Sequence, residues 1–315
     1  MKLAFLGTGL ATRIHSKTMK AIAAGVERFY ASRDMARAEA ARTAFKGAGA
    51  IEGYQAAVER PDIDVVLIAL PPSMHLEWTL SALARGKHVI LEKPPLLRAA
   101  DFAAVADAAR SANRQVLVAE NYFYKPLAAL LRDTIARGDF GDLKFIHVNA
   151  VKRQPTADWR DDPALSGQGA LFEGGIHWVC LLANVGLTVR RIRAARAGAA
   201  AGLDRSVVVT MEYEEGPVAT LHYSWEVPGL INGVRWSRCY GTEGVLRFET
   251  NGLLAVQGGR RRRVAIPGVS DLLGYRAMLA DFFEGIRQNR PPAYSLKLAE
   301  RDLALVEQAY ETLHY

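Results

Sequence analysis

This sequence has no long apolar run, only two cysteines, and fewer acidic than basic residues. The first two of these features each exclude a class of protein. No apolar stretch approaches the roughly 18 residues that a membrane-spanning helix needs, so no membrane partner is expected. The apolar run at the N-terminus is too short for a signal peptide and leads into a glycine loop, so we predict a cytoplasmic protein.

Two cysteines, Cys180 and Cys239, among 315 residues exclude a disulfide scaffold and offer no metal-ligand spacing. We expect both to be buried thiols and predict no metal site.

The net charge of +7 raises the question of a nucleic-acid partner. Much of the excess lies in four consecutive arginines, residues 260–263, which follow two glycines and precede an apolar run. This context is typical of a solvated hairpin turn entering a strand, so we expect no nucleic acid. The charge remains compatible with ligands that carry phosphate.

The first 120 residues alternate short apolar runs with helical patterns. Predicted strands lie at residues 3–6, 29–31, 65–70, 89–91 and 116–118, with helices at 13–24, 34–45, 74–84 and 99–112. Because these strands are apolar on both faces, they predict a parallel sheet with helices on both sides.

The later part of the chain has a different pattern, with apolar and polar residues alternating at 206–213, 219–225, 235–240 and 245–248. This alternation predicts an antiparallel sheet with one covered face. The fold class is therefore α/β, an N-terminal doubly wound parallel sheet followed by an α+β domain with an open, mostly antiparallel sheet. We place the domains at 1–121 and 122–315, with the helices at 275–287 and 298–313 able to pack back on the first.

A glycine loop joins the first strand to the first helix. The candidate cofactor residues in it are Gly7, Thr8, Gly9, Leu10 and Ala11. Gly7 permits a tight turn, and Gly9 lets a pyrophosphate approach the backbone at the positive end of the helix. Thr12 occupies the sixth position, where glycine or alanine is usual. The loop predicts a dinucleotide cofactor and a Rossmann domain.

The end of the second strand indicates which dinucleotide binds. An acidic residue there would hydrogen-bond the ribose of NAD, but this sequence has Ser32 followed by Arg33, with Arg37 one helical turn later. A hydroxyl and a guanidinium suit the 2′-phosphate of NADP, so we favour NADP over NAD. Alternatively, Ser32 caps the next helix and Arg33 is solvated.

Polar residues and prolines also follow the next strands of the sheet. Leu70 and Pro71 end the third strand, and the fourth ends in Glu92, Lys93 and Pro94. In an open parallel sheet, ligands bind beyond the carboxyl ends of the strands, so Lys93 is placed to face the cofactor. Without its context, Lys93 would be read as a surface lysine on a turn.

Several motifs in the same order resemble the glucose–fructose oxidoreductase and inositol dehydrogenase family, Gfo/Idh/MocA. They are Gly7 and Gly9, "ASRD" at 31–34, His75, Ala82-Leu83, Gly86-Lys87-His88-Val89, Glu92-Lys93-Pro94, Tyr275-Arg276, Asp281-Phe282, Arg287 and Pro291. The resemblance covers essentially the whole chain. It implies hydride transfer between a nicotinamide and a secondary alcohol or ketone of a sugar or cyclitol, in a homodimer or homotetramer. It also implies cofactor contacts at Leu70, Pro71, His75, Glu92 and Lys93, and makes Lys93 the first catalytic candidate.

A second block, residues 157–179, resembles the family's glycine-rich turn followed by a helix with Asp-x-x-x-His. By that resemblance His177 is catalytic and lies over the substrate hydroxyl, and a histidine is suited to moving a proton near neutral pH. The aspartate is replaced by Glu173, which at i and i+4 would share a helix face with His177. A further family aspartate is replaced by Cys180.

The remaining substrate-contact candidates lie in two segments. They are Asn121, Tyr122, Tyr124, Trp159 and Arg160. The family has an aromatic or basic segment after the last Rossmann strand, and a substrate-contact loop before the histidine helix. Packing between the domains is the alternative explanation for these side chains. Lys125 is a weaker candidate of the same kind.

Two other functions remain open. Some relatives in the family hydrolyse glycosides by transient oxidation, which needs a tightly held NAD, and Ser32 with Arg33 argues against that. A non-catalytic NADP-binding regulator would have no need for Lys93 and His177. The residues name neither the substrate nor the direction of the reaction.

Overall fold

A computed structural model describes residues 1–23, 25–156, 159–198, 202–229, 231 and 233–313. The chain forms two compact units. The first comprises Met1–Glu120 with Tyr275–Glu300, and the second comprises Asn121–Gly274 with Arg301–Tyr315. The helices are α1 Leu10–Ile22, α2 Met35–Phe45, α3 Tyr54–Glu59, α4 His75–Ala84, α5 Phe102–Ala112, α6 Pro126–Ala136, α7 Pro163–Ser166, α8 Ile176–Ala183, α9 Tyr275–Gln288 and α10 Leu296–Glu311.

A six-stranded parallel sheet forms the centre of the first unit. Its strands are β1 Lys2–Leu6, β2 Glu27–Ser32, β3 Gly49–Glu52, β4 Val65–Ile68, β5 His88–Leu91 and β6 Val116–Val118. Their order is β3-β2-β1-β4-β5-β6, with every neighbouring pair parallel. The strand order changes direction between β1 and β4: β2 and β3 are added on one side of β1, and β4 to β6 on the other. A doubly wound fold binds its ligand at this point.

The apolar strands fold as the hydrophobic pattern predicts. The four residues of β4 are completely buried, as are Leu3 to Leu6 of β1. This confirms the parallel sheet covered on both faces. Helix α1 differs from the prediction of 13–24, because Gly9 is its N-cap and the helix begins directly at the glycine loop.

An eight-stranded sheet dominates the second unit. Its strands are β7 Leu143–Val151, β8 Val189–Arg196, β9 Ser206–Tyr213, β10 Val218–Ser224, β11 Trp236–Gly241, β12 Gly244–Glu249, β13 Ala255–Gly259 and β14 Arg263–Ala265. The order is β14-β13-β12-β11-β7-β10-β9-β8, and only the β7–β10 pair is parallel. Buried residues alternate with half-buried ones along β9, so one face of the sheet is covered and the other is open. The predicted mostly antiparallel sheet is confirmed.

The arginine run lies in a hairpin. Strands β13 and β14 pair in antiparallel fashion on either side of it. Arg260 forms an ion pair with Glu243, and Arg261 forms one with Asp139, so the run is a solvated turn as predicted. The thiols of Cys180 and Cys239 are free and buried, also as predicted. Among the described residues, no helix is long and apolar enough to cross a membrane.

Candidate active site

The glycine loop adopts a conformation that requires glycine at its first position. Gly7 has a φ angle of +101°, which residues with a side chain rarely adopt. A Cβ at Gly7 would lie 2.5 Å from the carbonyl oxygen of Ala69, just beyond β4. The hydroxyl of Thr12 donates a hydrogen bond to the carbonyl oxygen of Gly7 at 2.8 Å. Thr12 therefore stabilises the loop at the position where a third small residue is usual.

Gly9 leaves open space beside the N-terminus of α1. No atom lies within 4 Å of the position that its Cβ would take. The first turn of α1 carries no acidic side chain, and its free N–H groups and dipole favour an anion. Thr8 and Ala11 are half-buried and the Leu10 side chain is 65% exposed. These residues fit the pyrophosphate of a dinucleotide.

A hydroxyl and two arginines lie at the end of β2 and in the residues that follow it. Ser32 is the last residue of β2 and is buried, whereas Arg33 and Arg37 are exposed. Asp34 is the N-cap of α2 and accepts a hydrogen bond from the amide of Ala36 at 2.8 Å. The amide of Asp34 donates in turn to Ser32 Oγ at 3.2 Å. Asp34, the carboxylate nearest in sequence to the end of β2, therefore caps α2.

His75 connects the ends of two strands. Its Nε2 lies 2.8 Å from the carbonyl oxygen of Leu70, and its Nδ1 lies 2.9 Å from that of Pro94. The ring is fully buried, and burial lowers the pKa of His75. The ring therefore packs between the segment after β4, with Leu70 and Pro71, and the segment that follows Lys93, and its one N–H donates to one of these two carbonyl oxygens.

A buried contact between a histidine and a carboxylate lies next to Lys93. His15 of α1 contacts Glu92, with 2.5 Å between Nε2 and Oε1. The other Glu92 oxygen accepts a hydrogen bond from the backbone amide of Lys93 at 3.1 Å. Burial alone would raise the pKa of Glu92, but the hydrogen bond and charge of His15, with the charge of Lys93, outweigh it and lower the pKa. His15 was not predicted, because its only signal in the sequence is a polar residue on the buried face of α1.

Replacing Glu92 with glutamine should lower the stability of the protein by about 2 kcal/mol at pH 7, because it removes a buried carboxylate that contacts His15 and accepts a hydrogen bond from the Lys93 amide. The pKa of Glu92 in the folded protein lies below its ordinary value of 4.5, so its contribution is present above pH 4.5 and lost as pH falls through the folded value. Thermal unfolding of both proteins between pH 3 and 7 measures the difference, which should shrink at acid pH. The exposed Glu77→Gln on α4 is the control, and a pH-independent difference would contradict the stabilising role of the ionised Glu92 carboxylate.

In the second unit, a π-helical turn at Leu171–Gly175 leads into α8. Such turns are rare and occur frequently at functional sites. All residues of the turn and all of α8 except His177 are buried. His177 is therefore the single position at which this segment presents a side chain to solvent or to a ligand.

Aromatic rings and a buried cation surround His177. The Tyr122 ring stacks on the imidazole, with 4.4 Å between the ring centroids and 14° between the planes. Trp178 meets the same tyrosine edge-on at 4.9 Å. The Lys125 ammonium lies 4.3 Å from the Tyr122 ring centroid, and the lysine side chain is completely buried. Tyr122 thus fixes the plane of the imidazole. Lys125 was only a weaker substrate-contact candidate from the sequence, whereas in the structure it is a completely buried cation beside the Tyr122 ring.

Glu173 is paired with an arginine from the preceding loop. Arg160 Nε lies 3.1 Å from Glu173 Oε1, and the guanidinium also stacks over Trp159 at 4.5 Å. The carboxylate is buried, so this pairing compensates its charge. The structure therefore brings together three of the predicted substrate residues, Trp159, Arg160 and Glu173.

Tyr223 of β10 packs on the π-helical turn. A Cβ at Gly174 would lie 2.1 Å from the Tyr223 hydroxyl oxygen, so only glycine fits there. That hydroxyl accepts a hydrogen bond from Trp225 Nε1 at 2.8 Å. Burial, then the nearby Glu173 carboxylate, raises the pKa of Tyr223 well above its ordinary value, so the phenol stays protonated. From the sequence, Tyr223 was predicted only to lie in a strand.

Asn121 and Tyr124 have other partners. Asn121 donates from Nδ2 to the carbonyl oxygen of Leu273 at 2.6 Å, and its Oδ1 is buried. The Tyr124 ring meets Phe123 edge-on at 5.1 Å. Packing within the second unit therefore accounts for the contacts of Asn121 and Tyr124 described here.

Two family models match the chain. A model described as an oxidoreductase family with an NAD-binding Rossmann fold matches residues 1–120. A model of the GFO/IDH/MocA C-terminal domain matches residues 128–247.

Characterised relatives and solved structures agree with these models. The chain is 36% identical over 200 residues to a dTDP-3,4-didehydro-2,6-dideoxy-alpha-D-glucose 3-reductase of Saccharopolyspora spinosa, covering 62% of this chain and 59% of the relative. It is 34% identical over 237 residues to the enzyme of the same name from Streptomyces violaceoruber, covering 70% and 68%. The match thus spans about three fifths to two thirds of each relative. A structure of levoglucosan dehydrogenase in complex with NADH superposes with a TM-score of 0.87 at 20% identity, covering 99% of this chain and 96% of that one, which establishes the fold.

Proposed function

Because the chain belongs to the Gfo/Idh/MocA oxidoreductase family, we propose that it transfers a hydride between NAD(P) and a secondary alcohol or ketone of a sugar or a related small molecule. The observation that carries the proposal is the glycine loop at the reversal point of the sheet, with open space at Gly9 and Lys93 directly after β5. The two relatives are named as reductases of a didehydro sugar, which supports a carbonyl or alcohol carbon as the reacting group.

The nicotinamide supplies or accepts the hydride when the cofactor is bound. The loop at Gly7 and Gly9 would hold the pyrophosphate of this cofactor, and Leu70 and Pro71 follow the neighbouring strand β4. Lys93 Nζ donates a hydrogen bond to the substrate oxygen and stabilises the negative charge that develops there. The His177 imidazole exchanges the proton of that oxygen, because a secondary alcohol is too weak an acid to lose it unaided. Glu92 holds the backbone of Lys93, and Tyr122 holds the plane of His177.

We propose NADP as the preferred cofactor, bound at its 2′-phosphate by Ser32, Arg33 and Arg37. The two arginines are exposed beyond the end of β2, and Asp34 is already engaged by the amide of Ala36. A guanidinium matches the geometry of a phosphate with paired, charge-assisted hydrogen bonds.

A panel of sugars, cyclitols and keto-sugars assayed with both cofactors at the nicotinamide absorbance tests this function. We expect turnover of at least one member, with a higher kcat/KM for NADP(H) than for NAD(H). Arg33→Ala should raise the KM for NADP(H) about 10- to 100-fold, the value of one or two charged hydrogen bonds, and leave that for NAD(H) nearly unchanged. Arg42→Ala, in the last turn of α2, is the control, and a preference for NAD in the native protein would refute the NADP assignment.

A cytoplasmic homodimer or homotetramer completes the proposal. The open face of the eight-stranded sheet carries exposed apolar side chains, including Phe145 and its register partner Tyr240, which are 58% and 37% exposed. Apolar patches of this kind are typical of protein interfaces. Light scattering on the same preparation measures the mass, and a monomer would contradict this part.

A further inference from the structure

The π-helical turn before α8 takes its first hydrogen-bond acceptors from other parts of the chain. The amide of Ala170 donates to the carbonyl oxygen of Asp204 at 2.8 Å, and that of Leu171 donates to Asp204 Oδ2, also at 2.8 Å. The amide of Phe172 donates to the Tyr310 hydroxyl oxygen at 3.1 Å. The first amides of a helical segment have no acceptor within it, so Asp204 and Tyr310 supply the acceptors here.

Asp204 and Tyr310 also bind each other. The Tyr310 hydroxyl donates to Asp204 Oδ1 at 2.6 Å, so one carboxylate oxygen binds the turn and the other binds the phenol that supports it. Asp204 is buried, and a Cβ at Gly169 would lie 2.1 Å from its Oδ1, so only glycine leaves room for this carboxylate. Burial, then the charge of Asp204, raises the pKa of Tyr310, so the phenol stays protonated and donates. A negative charge is also favourable at this end of a helical segment.

Helix α10, which carries Tyr310, also contacts the far end of α8. Asn184, the C-cap of α8, donates from Nδ2 to Asp302 Oδ2 at 2.8 Å. Asp302 and Tyr310 both belong to the part of α10 that lies in the second unit. His177 lies between these two contacts along the chain, and every other residue of α8 is buried. Helix α10 therefore holds both ends of the helical segment that presents His177.

The form of the turn decides in which direction His177 points. A π-helix closes its hydrogen bonds between residues i and i+5, whereas an α-helix closes them between i and i+4. Relaxation of Leu171–Gly175 to an α-helix would therefore rotate α8 about its axis and carry the His177 imidazole away from the Tyr122 ring that stacks on it. Because the π form is rare, contacts from outside the turn are needed to select it.

We propose that Asp204 and Tyr310 are positioning residues, which keep the turn in its π-helical form and thereby aim the His177 imidazole at the substrate oxygen. The inference rests on the proposed function, in which His177 exchanges the proton of that oxygen. A displacement of a reacting group by about 1 Å costs up to roughly 100-fold in rate. The effect should appear in kcat and not in cofactor binding, because the glycine loop lies in the first unit.

Tyr310→Phe and Asp204→Asn test the proposal. Tyr310→Phe removes the hydroxyl and keeps the ring, whereas Asp204→Asn keeps one oxygen for the Leu171 amide and removes the acceptor of the Tyr310 proton. With the active sugar and saturating cofactor, each variant should lower kcat about 10- to 100-fold and leave the Kd for the cofactor unchanged. The double variant should lose little more than either single variant, because both changes remove the same hydrogen bond.

Tyr30→Phe is the matched control. The Tyr30 ring is buried in the first unit, and its hydroxyl donates to Ser16 Oγ at 3.0 Å. Its replacement should lower the thermal unfolding temperature about as much as Tyr310→Phe does, and leave kcat unchanged. A loss of kcat that appears only in the variants of Tyr310 and Asp204 therefore separates a positioning role from a merely structural one.

Amide hydrogen exchange followed by mass spectrometry gives a second measurement, which needs no substrate. Exchange in residues 170–173 should be faster in Tyr310→Phe and Asp204→Asn and unchanged in Tyr30→Phe. Unchanged exchange in that segment, or a kcat within about twofold of the native value in both variants, would overturn the proposal. Native turnover would then leave the proposed function standing. A native protein that binds NADPH but turns over no sugar of the panel would instead overturn the proposed function, and the exchange would still show whether these residues hold the turn.

Discussion

Replacing Lys93 with methionine is expected to lower turnover about 10³-fold while the protein still binds its cofactor. One donor that stabilises charge on a reacting oxygen contributes about 10²- to 10³-fold, and proton transfer contributes a similar factor. Methionine keeps the length of the side chain and removes only the ammonium. It also keeps the backbone amide through which Glu92 holds this residue. The loss of turnover should therefore appear in kcat, and the stability should fall only by the part that the charge of Lys93 contributes to Glu92.

The measurement is turnover of the active sugar, with cofactor affinity followed separately by nicotinamide fluorescence. Lys17→Met replaces an exposed lysine on α1 and should leave both values unchanged. A Lys93→Met protein that retains turnover within about tenfold of the native value would show that this lysine is not the group on the substrate oxygen.

The parallel sheet could be predicted because its signal is local. Each apolar strand ends at a glycine, a proline or a charged residue, so the ends of β1 and β5 are visible without any partner. Strand β3 was missed, since Gly49–Glu52 has only four residues and begins with a glycine. Strand β7 was also missed. Its open face carries His147 and Asn149, and its alternation of apolar and polar residues is too weak to identify a strand without the neighbouring strands.

The site could be predicted only as far as single residues carry a motif. Lys93 and His177 stand in recognisable sequence motifs, but the residues that pack against these motifs come from distant parts of the chain. His15 is 77 residues from Glu92, and Tyr223 meets the turn at Gly174 from another element. Such contacts depend on how strands and helices pack, and no spacing in the sequence encodes them.

Alanine at Gly7 should lower the stability of the fold, whereas alanine at Gly9 should weaken cofactor binding. Gly7→Ala places a methyl group 2.5 Å from a carbonyl oxygen at a φ of +101°, and should cost roughly 3 kcal/mol of stability. Gly9→Ala meets no atom within 4 Å and has a φ of −81°, so the fold should be as stable as the native one. Its methyl group instead occupies the space through which a pyrophosphate reaches the amides of α1. The Kd for the cofactor should therefore rise about tenfold or more.

Thermal unfolding without cofactor and fluorescence titration with it measure the two effects separately. Gly53→Ala is the control for backbone strain alone, because Gly53 has a φ of +83° and no atom within 4 Å of its Cβ position. It should cost about 1 kcal/mol and leave cofactor binding unchanged. If Gly7→Ala were no less stable than Gly53→Ala, the contact with Ala69 would not constrain the loop. If Gly9→Ala bound the cofactor as tightly as the native protein, the phosphates would have to lie elsewhere, and the roles of Lys93 and of the strand ends around it would fail with them.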